Sequence, residues 1–321
     1  MRAFVTGITG FAGSYLATEL LDSNYDVFGT RLKGESLDRI SPFKKFIAVS
    51  VLDLQDADSA HKLLRKVKPD LVFHLAAAAS VGQSFENPQE TLSANVMGTL
   101  NLLEALRGLT SISTVLVVSS SDIYGAVKSS DLPLKEDAPV QPLSPYGVSK
   151  AAADMLAYQY FRSLGIPIVR ARAFNHTGPK QSAGFVVPDF CRQVAVIERS
   201  RSRSVIRVGN LGMERDISDV RDIVRGYRLL AERGVPGEVY HLCSGKSIGI
   251  GDLLAKVVGM ATREVEVVSD CRLVRPTETP RLLGDYSKAR KAVGFKPLHR
   301  LDDTISDTLE YWRKEVRRIK N

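Results

Sequence analysis

Three glycines at three-residue intervals, Gly7, Gly10 and Gly13, stand between an apolar run, Ala3-Phe4-Val5-Thr6, and a stretch with apolar residues at helical spacing, Ser14-Tyr15-Leu16-Ala17-Thr18-Glu19-Leu20-Leu21. A strand that runs through a glycine turn straight into a helix is the opening unit of a dinucleotide-binding fold. The glycines let the backbone approach a pyrophosphate, and the amides at the helix N-terminus favour its negative charge. The spacing G-x-x-G-x-x-G departs slightly from the G-x-G-x-x-G form. It places Gly7, Gly10, Phe11, Ala12 and Gly13 at a cofactor.

Further strand-like runs follow at residues 26–30, 46–51, 71–75, 114–119 and 166–171, separated by helical patterns. Strands alternating with helices imply right-handed crossovers and a parallel sheet. The expected fold class is therefore α/β, a doubly wound parallel Rossmann sheet with a smaller, interleaved C-terminal substrate-binding lobe. After Phe174 the pattern turns irregular. Residues 1–174 and 220–245, the latter including the run Glu238-Val239-Tyr240-His241-Leu242, are assigned to the cofactor-binding domain, and residues 175–219 and 246–321 to the lobe.

Cys191, Cys243 and Cys271 are far apart and form no C-x-x-C pair, so neither a disulfide framework nor a metal site is expected. The chain starts on a core strand, with no charged segment followed by a short apolar one and no apolar run of spanning length, which makes a cytoplasmic location the default and a membrane partner unexpected. Lys and Arg total 44 against 36 Asp and Glu, a formal charge of +8. The basic residues are scattered, with dense runs only at Arg199-Ser200-Arg201-Ser202-Arg203 and between Arg313 and Lys320. That distribution argues against nucleic acid and suits anionic small molecules.

Ser144-Pro145-Tyr146-Gly147-Val148-Ser149-Lys150 reads as a helix start with a phenol and an ammonium one turn apart on one face. A lysine so placed can lower the phenol's pKa and steady its anion, making it a usable proton donor or acceptor. A third element is the strand Val115-Leu116-Val117-Val118, which ends in Ser119-Ser120-Ser121-Asp122-Ile123-Tyr124-Gly125. Ligands bind beyond the carboxyl ends of such strands. The three segments together suggest a nicotinamide, a carbonyl-binding hydroxyl and a proton-transferring phenol.

With these motifs the chain resembles, over essentially its whole length, the extended short-chain dehydrogenase/reductases that act on nucleotide sugars. The resemblance implies catalytic roles for Tyr146, Lys150 and Ser120, the hydroxyl four residues before the Tyr124-Gly125 pair, with Ser119 and Ser121 as alternatives. It further implies that Asp53 and Leu54 lie near an adenine, and that the strand end at His74, with Leu75, Ala76 and Ala77, runs along the cofactor. Asn95 also matches. In Arg172-Ala173-Phe174-Asn175-His176-Thr177-Gly178-Pro179, Asn175 would contact the sugar nucleotide and His176 the cofactor. Arg215, Arg275 and Glu278 resemble the branch that handles guanosine-diphosphate hexoses, where arginine forks suit a diphosphate and Glu278 would accept hydrogens from ribose or guanine. A homodimer is implied, paired through the Tyr146 helix and the one near residues 95–106.

Cofactor choice turns on the end of the second strand, where a carboxylate favours NAD and a cation accommodates a 2′-phosphate. Asp26-Val27-Phe28-Gly29-Thr30-Arg31 puts Arg31 there, with Lys33 close behind. The expectation is NADP(H), with NAD(H) as the alternative. Two activities compete within the branch: reduction of the C4 ketone of GDP-4-keto-6-deoxy-D-mannose to GDP-D-rhamnose, and 4,6-dehydration of GDP-mannose. The second requires an extra acid/base, a Glu two residues before the Tyr-Gly tyrosine in such enzymes. Here the position is Asp122, one methylene shorter, which withdraws the carboxylate from proton-transfer reach and favours the reductase. A cofactor-binding sensor without chemistry is the remaining class.

Overall fold

The computed structural model describes residues 1–200, 205–274 and 279–318. Arg201 and Arg203 of the basic run, and the predicted ligands Arg275 and Glu278, lie outside the described residues. The first half of the chain alternates regularly: β1 (Arg2–Thr6), α1 (Phe11–Asp22), β2 (Asp26–Arg31), β3 (Ile47–Val51), α2 (Ala57–Val67), β4 (Leu71–His74), α3 (Val81–Glu86), α4 (Pro88–Leu92), α5 (Gly98–Leu106), β5 (Thr114–Ser120), α6 (Pro145–Leu164) and β6 (Ile168–Ala173). The second half carries β7 (Asn175–Thr177), α7 (Val186–Arg199), β8 (Val205–Val208), β9 (Glu214–Asp219), α8 (Val220–Arg233), β10 (Val239–Leu242), β11 (Ser247–Gly249), α9 (Ile250–Gly259), β12 (Glu266–Ser269), β13 (Arg281–Leu282), α10 (Ser287–Val293) and α11 (Leu301–Arg318).

Seven strands form one parallel sheet in the order β10-β6-β5-β4-β1-β2-β3. After β3 the chain crosses to the opposite side of β1, so the strand order reverses between β1 and β4 and a crevice opens at their carboxyl ends. Strand alternation fills both faces. Ala3, Val5 and Leu116 pack with α1 and α8, while Phe4, Val115 and Val117 pack with α2, α5 and α6. The sheet is thus covered on both sides, as a doubly wound fold requires.

β6 begins two residues later than the apolar run suggests, because Pro167 has no amide to give the ladder and serves only through its carbonyl, which accepts Val115 N–H. Residues 220–242 return to the sheet, with β10 beside β6. The lobe has its own core, Val187, Phe190 and Val194 of α7 against Ile206, Leu253, Ile305 and Leu309. One assignment is corrected. Ala289, Val293 and Phe295, expected in the lobe, belong to the α1/α8 core of the main sheet, because the α10 segment folds back over α8 and β10. Among the described residues, no helix is long and apolar enough to cross a membrane.

If the α10 segment is structural to the sheet domain, Phe295→Ala should cost about 3–5 kcal/mol, the usual range for emptying a buried aromatic site. Denaturant unfolding followed by far-ultraviolet dichroism measures it; a loss below about 1 kcal/mol would place Phe295 outside the cooperative core.

Candidate active site

The glycine turn closes on itself. Gly7 has φ +71°, and a Cβ on Gly13 would stand 2.1 Å from the Gly7 carbonyl oxygen, so α1 can start this close to β1 only without one. Gly10 caps α1 without a side-chain hydrogen bond, leaving the first-turn amides to a ligand. The turn's backbone and its uncapped helix therefore fit a dinucleotide pyrophosphate. β4 supplies the opposite wall. Thr6 Oγ1 accepts the amides of Leu75 and Ala76, both at 3.1 Å. His74 does not face the crevice: its ring bridges Thr6 and Thr99 hydroxyls, each at 2.9 Å, and burial, then Lys150, lowers its pKa to about 3, which keeps it neutral.

A cleft of about 350 Å³ at the ends of β2 and β3 is lined by Leu32, Lys33, Leu52 and Asp53. Leu54, expected beside the adenine, turns its side chain into the α2/α5 core. Arg31 ends β2 with its guanidinium on the carbonyls of Leu32 and Glu35, at 3.0 and 3.1 Å. His176 donates Nδ1–H to the Phe174 carbonyl and stacks on Phe11, ring centroids 6.1 Å apart and 10° from parallel. Arg39 joins this side to the lobe through the carbonyls of Thr9 and Lys180 and the Ser182 hydroxyl.

The candidate reacting groups, Ser120, Tyr146 and Lys150, come from β5 and α6. Ser144 caps α6 by accepting Gly147 N–H at 3.0 Å, and Pro145 follows at the position where a missing amide costs nothing. A Cβ on Gly147 would lie 2.8 Å from the Asp122 carbonyl, so this glycine lets the helix press against the turn after β5. In that turn Ser120 Oγ accepts Asp122 N–H and donates to Asp122 Oδ2, both at 3.1 Å. Ser120 also hydrogen-bonds the Tyr146 phenol. Ser119 instead donates to the Lys150 carbonyl at 3.3 Å, so of these two serines Ser120 is the one at the phenol.

The electrostatics differ from the sequence expectation. Burial and the Asp122 charge push the Tyr146 pKa well above its ordinary value, and the Ser120 hydrogen bond only partly offsets them. Lys150 does not pull it down here; its ammonium donates to the Val118 carbonyl at 2.8 Å, and burial lowers its own pKa to about 8. Asn95, buried in a single π-turn before α5, binds the Ala78 amide and carbonyl and the Ser149 hydroxyl, which locks the β4 loop to α6. Asn175 is exposed at the start of β7, and Arg215 on β9 donates to the Glu214 carbonyl.

The sequence reading assigned no role to a buried network behind these groups. Asp154, one turn beyond Lys150, pairs with Arg170 at 2.7 Å and Arg172 at 3.0 Å. Arg172 also donates to Tyr124 OH and the Glu136 carbonyl, and Tyr124 donates to His241 Nε2 at 2.5 Å. Arginines at alternate positions of a central strand were the available signal, since a buried face cannot hold two unpaired guanidiniums. Asp216 was likewise missed. It is fully buried and accepts from the Ser244 amide and hydroxyl and the amides of Gly245 and Gly284, clamping β9 to the end of β10.

A doubly wound sheet with a glycine cradle on one side of its crevice and a Ser-Tyr-Lys set on the other defines a nicotinamide-dependent oxidoreductase. Comparison with known proteins agrees. The family model described as GDP-mannose 4,6 dehydratase matches residues 4–308. The GDP-6-deoxy-D-mannose reductase of Pseudomonas aeruginosa is 33% identical over 98% of both chains, and a GDP-mannose 4,6-dehydratase of Vibrio cholerae is 32% identical over 92% of this chain and 89% of that one. Among solved structures, RMD from Pseudomonas aeruginosa complexed with NADPH superposes with a TM-score of 0.85 at 33% identity, covering 98% of this chain and 99% of that one. The UDP-glucose 4-epimerase of Thermotoga maritima superposes at 0.89 with 26% identity, covering 98% and 100%. The chain belongs to the extended short-chain dehydrogenase/reductases of the NAD-dependent epimerase/dehydratase type, and is an NAD(P)-dependent enzyme acting on nucleotide sugars.

The Lys150 shift has a measurable consequence. Between pH 8 and the ordinary lysine value near 10.5 the unfolded chain binds more protons than the folded one, so stability rises as pH climbs through that window. Below it the buried ammonium costs about 3 kcal/mol. Lys150→Met should therefore melt higher than the parent at pH 7, with the gap closing by pH 10.5; a gap independent of pH in thermal melts would contradict the shift.

Proposed function

We propose that the enzyme reduces the C4 ketone of GDP-4-keto-6-deoxy-D-mannose to GDP-D-rhamnose, with NADP(H) as the preferred cofactor. The cofactor would lie on the sheet domain, residues 1–174 and 220–245 with the α10 segment packed on it, held by Gly7, Gly10, Phe11, Ala12, Gly13, Arg31, Asp53, Leu75, Ala76, Ala77 and His176. The GDP-sugar would lie against the lobe, with Asn175, Arg215, Arg275 and Glu278 as its ligands.

The observation that supports reduction over dehydration is at Asp122. Its carboxylate is one methylene shorter than the Glu the dehydration needs, and its Oδ2 accepts a hydrogen bond from Ser120 at 3.1 Å within its own turn. The same charge helps hold the Tyr146 phenol protonated, the state a proton donor must occupy before reaction. A bound nicotinamide supplies the hydride in such chemistry. Ser120 would then hydrogen-bond the ketone oxygen, Tyr146 would hand its proton to the alkoxide forming there, and Lys150 would hold the nicotinamide ribose. The match to the reductase over 98% of both chains supports the same reading. The family model's own description favours the dehydratase as the second reading.

Incubation with the 4-keto-6-deoxy sugar nucleotide and NADPH separates the two: NADPH consumption only with that substrate supports reduction, whereas conversion of GDP-mannose without net NADPH use supports dehydration. Tyr146→Phe should lower kcat by about a hundredfold or more while cofactor affinity stays within a few-fold. Near-normal turnover in that variant would remove Tyr146 from the chemistry.

We also propose a homodimer through the face of α6 and its neighbours. Leu92, Met97, Val148, Met155 and Tyr158 are all exposed there, with Met155 at 60%. Large apolar residues gathered on one side are what a subunit contact buries. Met155→Glu should convert a dimer to a monomer in light scattering coupled to gel filtration; a parent chain that is already monomeric would refute the contact.

A further inference from the structure

The loop after β2 carries a carboxylate that the cofactor reading leaves unused. Ile8 N–H donates to the Thr30 carbonyl at 3.0 Å, which lays the glycine turn directly against the end of β2. The next residue of the turn, Thr9, is 3% exposed, and its hydroxyl donates to Glu35 Oε2 at 2.7 Å. The same carboxylate oxygen accepts Leu32 N–H at 3.0 Å. Gly34, with φ +90°, allows the chain to double back so that Glu35 reaches the turn. Arg31 closes over the loop from the strand end, donating to the Leu32 and Glu35 carbonyls. A carboxylate anchored on a buried hydroxyl and a guanidinium on the same loop thus flank the place where a doubly wound fold seats the adenosine ribose.

We propose that Glu35 sets the preference between NADPH and NADH, opposing Arg31. The proposal rests on the NAD(P) assignment and concerns which of the two cofactors is favoured. A 2′-phosphate carries close to two negative charges and needs donors such as the Thr9 hydroxyl; with Glu35 docked on that hydroxyl, the phosphate meets a like charge and an occupied donor. A plain ribose 2′-hydroxyl meets the opposite situation, because the carboxylate can accept a hydrogen bond from it. Arg31 favours the phosphate through charge-assisted hydrogen bonds. Binding of NADPH therefore requires Glu35 to leave Thr9, whereas NADH binds with Glu35 in place. The strand-end arginine alone would predict a stronger NADPH preference than this loop permits.

Glu35→Gln tests this, since the amide keeps an oxygen for Thr9 and Leu32 at nearly the same volume and loses only the charge. Binding is read by fluorescence titration of NADPH and NADH separately, without any sugar substrate. The ratio of the NADH to the NADPH dissociation constant should rise about tenfold, chiefly through tighter NADPH, and the gain should shrink as salt is raised. Glu35→Ala should shift the ratio in the same direction. A ratio unchanged within twofold in both variants, or equal weakening of both cofactors, would overturn the proposal and leave Glu35 as a loop staple. Those outcomes leave the keto-sugar reductase reading intact. If the keto-sugar reading fails, the binding ratio is still readable, and a parent chain that binds neither cofactor would overturn the NAD(P) assignment and the proposal together.

Discussion

One face of α6 buries three ionisable side chains at four-residue intervals, Tyr146, Lys150 and Asp154, and the surrounding structure is arranged to satisfy them. Each sits where an unpaired polar group would cost several kcal/mol. Tyr146 meets Ser120, Lys150 meets the Val118 carbonyl, and Asp154 meets Arg170 and Arg172. The partners all come from β5 and β6, so the helix has one register in which every group is paired. The same register sets the phenol beside the hydroxyl at the carboxyl end of the sheet.

The partners are themselves held from behind. Arg172 reaches Tyr124 and the Glu136 carbonyl, and His241 accepts from Tyr124 while its Nδ1–H donates to the Leu134 carbonyl. Burial and the Arg172 charge lower His241 to about 3, which keeps it neutral and able to accept. The turn that carries Ser120 and Asp122 is thereby tied to β6, β10 and the 134–136 segment. Asp216 does the equivalent for the lobe by gathering four donors from two loops. Stability and site geometry depend on the same buried polar groups, which is why the site needs no element of its own to hold it.

Elements whose physics is local were legible in the chain. The glycine turn, the Ser144-Pro145 helix start and the alternation of strands and helices each follow from a few neighbouring residues, and they identify the sheet and one wall of the crevice. The serine cluster was less clear, because three hydroxyls in a row differ only by which way each side chain turns. The lobe was legible only as a loss of pattern after Phe174, and its candidate ligands only by resemblance. Its strands β7, β9, β11 and β13 are two to six residues long and pair across large sequence separations, so no local pattern announces them.

Sequence by itself determined the fold class, the glycine cradle and the placing of Tyr146 and Lys150 on one helix face, because spacing along a strand or helix fixes which side chains share a face; Ser120 was singled out among three serines only by resemblance. Tertiary structure decided what those groups experience. Burial against β5 holds the phenol protonated and turns Lys150 to a backbone carbonyl, folding of the α10 segment over α8 moves Phe295 into the main core, and the β2 loop brings Glu35 onto Thr9. Each of these depends on desolvation or on contact between segments distant in the chain, and neither quantity exists until the chain has folded.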